Sequence, residues 1–188
     1  GNLLLHFQQQ HAKLLIHHII ASLHSCLLFA GQIVQLVDIE KRGNEYIFGF
    51  EKLRRFVDIC KKHGVKYYEM AHLFSQWGSR FAPNIMVTEN GKTDYMFGWH
   101  VAADSEEYRE FLKQYIAAVS AELSALGISE STYFHVSDEP NPDNLDRYEI
   151  ARNIIKPLIS KSKTLDALSH CEFYEKGLVE CPVTSIRR

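Results

Sequence analysis

The chain has 188 residues, 46% of them hydrophobic, enough for one sizeable core and, by default, one domain. Its 21 basic and 23 acidic residues leave a formal charge of -2, which argues against a nucleic acid or an acidic membrane surface as partner. No apolar stretch is long enough to span a bilayer, since Leu14 to Ala30 is interrupted by His17, His18, Ser22, His24 and Ser25, and no basic leader precedes a clean apolar run.

In chain order, residues 1 to 33 come first. Their GNLLLHFQQQHAKLLIHHIIASLHSC is rich in His and Gln and poor in turn signals, so it stands apart as an atypical segment whose fold the pattern does not specify. His6, His11, His17, His18 and His24 raise the question of a metal, but no spacing sets them with carboxylate or thiolate ligands in a compact motif, and no metal or other cofactor is expected. Residues 34 to 188 form the predicted domain. Val34 to Ile39 and Glu45 to Phe48, on either side of Lys41-Arg42-Gly43-Asn44, suggest a hairpin. A helix is predicted from about Phe50 to His63, with Leu53, Phe56, Val57 and Cys60 on one face, Gly64 beyond it, and Lys52, Arg54, Arg55, Lys61 and Lys62 on the wet face. Val65 to Met70 then reads as a strand.

Ile85 to Val87 and Thr93 to Phe97 flank Asn90-Gly91, the strongest short hairpin signal in the chain. Tyr108, Phe111, Leu112, Tyr115, Ile116, Val119, Leu123 and Leu126 recur at helical spacing. The predicted helix spans Asp104 to Leu126, with Asp104 as cap, Glu106 and Glu107 in the positive first turn, and Gly127 as the left-handed stop. Tyr133 to Val136 is the next strand. A third helix is predicted from Pro142 through Leu158, and Lys163 to Leu168 closes the series as a strand. Cys26, Cys60, Cys171 and Cys181 are widely spaced, without a CxxC pair. That favours buried thiols and a reducing compartment, the cytoplasm, over a disulfide framework.

The alternation of strand and helix predicts an α/β fold with parallel strands and helical crossovers. Ligand sites in such folds lie at the C-terminal ends of the strands. Here those ends carry His72, Asp138, Glu139 and His170, and the loop after the Asn90-Gly91 hairpin carries Trp99 and His100. The segment TYFHVSDEP, residues 132 to 140, sets two carboxylates side by side where a strand ends. Residue chemistry alone leaves two readings open: a catalytic pair, or acidic residues complementing the N-terminus of the helix that follows Pro140.

The segments KYYEMAHLFSQWG (66 to 78), FGWH (97 to 100), YFHVSDEP (133 to 140) and DALSHCEFYEKGL (166 to 178) together resemble glycoside hydrolase family 123. That family includes β-N-acetylgalactosaminidases built on a (β/α)8 barrel. The likeness covers about residues 34 to 183. It implies a carbohydrate substrate and a retaining mechanism in which the substrate's own 2-acetamido oxygen attacks the anomeric carbon. Asp138 would hold the acetamido group and stabilise its developing charge, and Glu139, partly buried and protonated, would be the general acid. His72, Trp77, Trp99 and Tyr174 match positions that line the sugar site, and His100 stands where the family usually has an acidic residue.

The resemblance also implies a barrel that is incomplete or open, because residues 1 to 33 depart from the family pattern and family members continue beyond Arg188. Exposed sheet edges would then favour self-association into a homo-oligomer, or cover by the N-terminal segment. Three functional expectations follow: a glycosidase acting on β-linked N-acetylgalactosamine, a sugar-binding remnant without turnover, or an inactive fragment.

Overall fold

The computed structural model describes residues 20 to 23, 35 to 76, 78 to 159 and 162 to 184. Nine strands and four α-helices are found among them, in two sheets. The strands are β1 (Ile20–Leu23), β2 (Asp38–Arg42), β3 (Glu45–Gly49), β4 (Tyr67–His72), β5 (Ile85–Glu89), β6 (Lys92–Phe97), β7 (Thr132–His135), β8 (Lys163–Leu168) and β9 (Cys181–Thr184). The helices are α1 (Glu51–Lys62), α2 (Glu106–Ala125), α3 (Leu145–Ile159) and the short α4 (Glu172–Glu175).

One sheet has the order β1-β4-β7-β8-β9, all neighbours parallel. The fold is α/β with parallel strands, as the alternation predicts. The strand order is open, with β1 and β9 as the two edges among the described residues. β1 comes from the N-terminal segment and pairs with β4 from Ile20↔Tyr67 to Leu23↔Met70, so that segment covers the β4 edge.

The two hairpins join as a second sheet, β3-β2-β5-β6, through parallel pairing of β2 with β5 at Glu40↔Thr88 and Lys41↔Glu89. Local pattern gives each hairpin but not this long-range pairing. β2 begins at Asp38, later than the hydrophobic run suggests, because Gln35 uses a side chain where a strand would use its backbone. Its amide donates to the Met86 carbonyl at 2.9 Å and accepts from the Met86 N–H at 2.9 Å. In the β5-β6 turn, Asn90 and Gly91 take φ of 52° and 79°, as an Asn-Gly hairpin requires.

Helix boundaries follow their caps. In α2 the cap is Ser105, not Asp104: its side chain accepts from the Tyr108 N–H, satisfying a first-turn donor. Gly127 ends that helix with φ 68°, a conformation costly for a residue bearing Cβ. β4 starts at Tyr67 rather than Val65 because the Val65 N–H is committed to the Cys60 carbonyl at 3.0 Å, closing the end of α1. Pro142–Asn144 is a 3₁₀ turn leading into α3.

The core runs through α1, α2, α3 and the parallel sheet, with Leu53, Val57, Leu112, Ile116, Phe134, Val136, Tyr148 and Ile155 all buried. Aromatic rings fasten the second sheet to α2: Phe111 lies 4.8 Å from Phe97 and 5.1 Å from Tyr46, centroid to centroid. Each such pair contributes about 0.5–1.5 kcal/mol beyond its burial. Gln114 on α2 adds hydrogen bonds to the Tyr46 N–H and the Asn44 carbonyl. The wet face expected of α1 is present, with Arg54 reaching across to Glu122 of α2 at 2.7 and 2.8 Å. Of the cysteines, Cys60 is buried but Cys171 is exposed, which corrects the expectation of uniformly buried thiols; Cys26 lies outside the described residues. No helix among the described residues is long and apolar enough to cross a membrane. The N-terminal histidines raised as metal candidates also fall outside the described residues.

Candidate functional site

β4 and β7 run parallel into the site. Their pairing shifts register between Glu69 and His72, then continues past the strand ends, where the Leu73 and Phe74 N–H groups donate to the His135 and Val136 carbonyls at 3.1 and 3.0 Å. Tyr108 of α2, fully buried, donates its hydroxyl to the Leu73 carbonyl at 2.5 Å. Burial pushes its phenol well above the ordinary value, so it acts here as a neutral donor. These bonds hold the chain straight until Val136 and place Ser137, Asp138 and Glu139 just beyond the sheet.

A cavity of about 450 Å³ opens there, within the size range of small-molecule sites. Leu53, Met70, Tyr108 and Phe111 supply buried apolar lining. His72, Gln76, Asn84, Trp99 and Asp138 supply the polar and accessible part. Asp138 is half-buried and accepts from Gln76 Nε2 at 3.0 Å, so a donor already holds its carboxylate at the cavity wall.

Glu139 is exposed and lies outside the described cavity lining. The partial burial expected of it is therefore not met. Its φ is 44°, a left-handed backbone that a non-glycine residue adopts at a cost of about 1–3 kcal/mol. In an extended strand consecutive side chains point to opposite faces; the left-handed step at Glu139 breaks that alternation. The side chain that caps the Pro142–Asn144 turn is Asn141, which accepts from the Asp143 N–H at 2.9 Å, while Asp138 is engaged by Gln76.

Of the other predicted positions, His72 and Trp99 join Asp138 at the cavity, with Trp99 61% exposed. His100 is exposed, its Nε2 lying 3.2 Å from the Met96 carbonyl on the hairpin, and it does not line the described cavity. Tyr174, on α4, is 38% exposed and also outside that lining. Trp77 lies outside the described residues.

Beneath the strand ends is a charged cluster that sequence reading missed. His135 Nε2 lies 2.5 Å from Glu69 Oε1 and its Nδ1 lies 3.0 Å from Asp166 Oδ1. Asp166, wholly buried, also accepts from the Val136 N–H and the Tyr148 hydroxyl. Burial pushes His135 down, but hydrogen bonds and charge from Asp166 and Glu69 outweigh it and raise the imidazole to about 9. Burial pushes the Asp166 carboxyl up, against the donors His135, Tyr148 and Val136. Two carboxylates facing one imidazole favour a charged His135 at neutral pH. The ring of His72 meets that of His135 edge-on, centroids 6.1 Å apart, linking this cluster to the cavity wall. A signal for it exists in the sequence: His135 and Asp166 interrupt otherwise apolar strand interiors, between Phe134 and Val136 and between Leu165 and Leu168.

Fold and site together define an α/β protein with a carboxylate-bearing cavity beyond the C-terminal ends of parallel strands. Residues 7–187 match the model of the glycoside hydrolase 123 catalytic domain, and the chain belongs to that family. The match begins well inside the N-terminal segment that looks atypical by sequence. Among solved structures, the chain is similar to a family 123 glycoside hydrolase from Clostridium perfringens described for glycolipid glycan hydrolysis, with TM-score 0.66 and 12% identity over 95% of this chain. The alignment covers 34% of that protein, so the present chain spans about a third of its length. A comparison with curated proteins gives no match.

Proposed function

We propose that this chain carries the site of a retaining, substrate-assisted glycosidase acting on β-linked N-acetylgalactosamine, on part of a (β/α)8 barrel. The observation that carries the reading is Asp138, held by Gln76 at the wall of a cavity beside His72 and Trp99. In this mechanism the 2-acetamido oxygen attacks the anomeric carbon while the glycosidic oxygen leaves, so no distant protein nucleophile is needed. Asp138 accepts a hydrogen bond from the acetamido N–H and stabilises the positive charge that spreads over the N–C–O unit. Glu139 gives its proton to the departing oxygen, then takes one from the water that opens the cyclic intermediate. Trp99 offers an exposed ring face for the C–H groups of a pyranose. His100 and Tyr174 are the further proposed sugar contacts, outside the cavity lining.

Hydrolysis of 4-nitrophenyl β-N-acetylgalactosaminide by the wild-type chain, strongly reduced in Asp138→Asn and Glu139→Gln, is the expected result; no turnover by wild type contradicts the reading. A second reading, sugar binding without turnover, draws on the exposure of Glu139. It predicts saturable N-acetylgalactosamine binding with no release of nitrophenol.

A further inference from the structure

Beside the cavity lies a smaller depression of about 230 Å³, lined by Ser75, Gln76, Gly78, Arg80, Phe81, Trp99 and Asn144. It shares Ser75, Gln76 and Trp99 with the larger one, so the two are neighbours. Its volume falls below the range of about 300–1,000 Å³ for whole small-molecule sites and is on the scale of one sugar ring.

Its chemistry differs from that of the cavity. It holds no carboxylate and one cation, flanked by two exposed aromatic side chains, Phe81 at 37% and Trp99 at 61%. Arg80 is exposed and bonded to Asn144. Its Nε and Nη2 both donate to Asn144 Oδ1, at 3.1 and 2.8 Å. Asn144 is in turn seated against Gly78, where an added Cβ would come within 3.0 Å of Asn144 Cγ, so the close approach depends on a residue without a side chain.

A guanidinium has five N–H donors in a planar fork. Asn144 occupies Nε–H and one Nη2–H, which leaves the end-on pair, one hydrogen on each Nη, aimed away from Asn144. The hydrogen bonds of Arg80 among the described residues go to Asn144. A planar two-donor edge suits a carboxylate better than a hydroxyl, because it binds both oxygens at once.

We propose that this depression is a second sugar subsite, which takes a carboxylate-bearing pyranose joined to the sugar in the main cavity. The acid's two oxygens face the free edge of Arg80, and its ring packs against Phe81 and Trp99. This rests on the cavity being the site for the 2-acetamido sugar. It adds a preference for glycans in which that sugar is attached to a uronic acid.

The test compares two thio-linked disaccharides that resist hydrolysis, β-N-acetylgalactosaminyl-glucuronic acid and its glucose counterpart of the same linkage, by calorimetry on the whole chain. The acid binds about tenfold or more tightly than the neutral sugar, the scale of a charge-assisted bidentate contact. Arg80→Leu brings that ratio close to one, and Arg80→Lys, which keeps the charge without the fork, gives an intermediate ratio. Circular dichroism checks that each variant is folded. Equal affinities in the wild type, no measurable binding of either sugar, or a ratio unchanged by Arg80→Leu would each overturn the proposal. Cleavage of the O-linked disaccharides is followed separately. A preserved acid preference without cleavage leaves the subsite standing and removes the hydrolase reading, and cleavage with no acid preference does the reverse.

Discussion

Two regions three residues apart on one strand end are built in opposite ways. At His135 the chain is enclosed: the imidazole touches Glu69 and Asp166, and Asp166 gathers the Val136 N–H and the Tyr148 hydroxyl in an interior without water access. At Asp138 and Glu139 the chain has left the sheet, one carboxylate half-buried with a single side-chain donor and the next exposed on a left-handed backbone. The first region fixes where the strand ends. The second is free to meet a ligand. Strain and exposure concentrate where chemistry is proposed, and the ionic bonding that could hold the strand sits one turn of chain earlier, where it touches no substrate.

The sharpest way to separate the regions is to remove one group from each. Glu139→Gln is expected to lower turnover of the aryl glycoside by about 10²–10⁴-fold, the scale of general acid catalysis, with the melting temperature unchanged. Asp166→Ala should do the converse first: it leaves the imidazole with Glu69 alone and the Tyr148 phenol without its acceptor in the interior, and costs about 3–5 kcal/mol of stability in denaturant unfolding. If Asp166→Ala unfolds no more readily than wild type, the enclosed cluster is not what anchors the strand.

The pH dependence of stability reads the same cluster without mutation. The folded value of His135 is raised to about 9 from 6.5, so its stabilising contribution is fully present below pH about 6.5 and is lost as pH rises through about 9. By linkage this is on the order of 3 kcal/mol. Denaturant midpoints should fall between pH 6.5 and 9, and His135→Asn should flatten that fall. The smallest effect is expected between the two regions, at Ser137, whose buried hydroxyl donates to the Ser75 carbonyl at 2.8 Å. Ser137→Ala should cost about 1 kcal/mol of stability, read as a shift in midpoint. A drop in turnover much larger than that shift would show that this bond also aims the two carboxylates.

How much of this was legible in the sequence depends on the range of each interaction. The 3.6-residue period of α2, the Asn90-Gly91 turn and the strand at 163 to 168 are local, and each appears where the pattern puts it. The cap of α2 moved by one residue because Ser105 and Asp104 both have capping chemistry and only backbone geometry separates them. Joining of the two hairpins through β2 and β5 depends on residues more than forty positions apart in sequence, as does the Gln35 amide bonded to Met86, and no periodicity encodes such pairing. At the site, Asp138, His72 and Trp99 were readable as residues delivered by strand ends and by one loop. Gln76, Glu69 and Asp166 were not, because their roles arise from which strands become neighbours. Glu139 was readable as chemistry but not as geometry, since its exposure follows from a left-handed backbone step that nothing in the dipeptide announces.

The most direct measurement of the central claim is the turnover of aryl β-N-acetylgalactosaminides whose acetamido methyl carries zero, one, two or three fluorines. Fluorine withdraws electron density from the acetamido oxygen without altering the glycosidic bond. If that oxygen, oriented by Asp138, is the nucleophile, the rate falls steeply with each fluorine. A rate independent of fluorination, or no hydrolysis of the parent compound, would contradict the assignment.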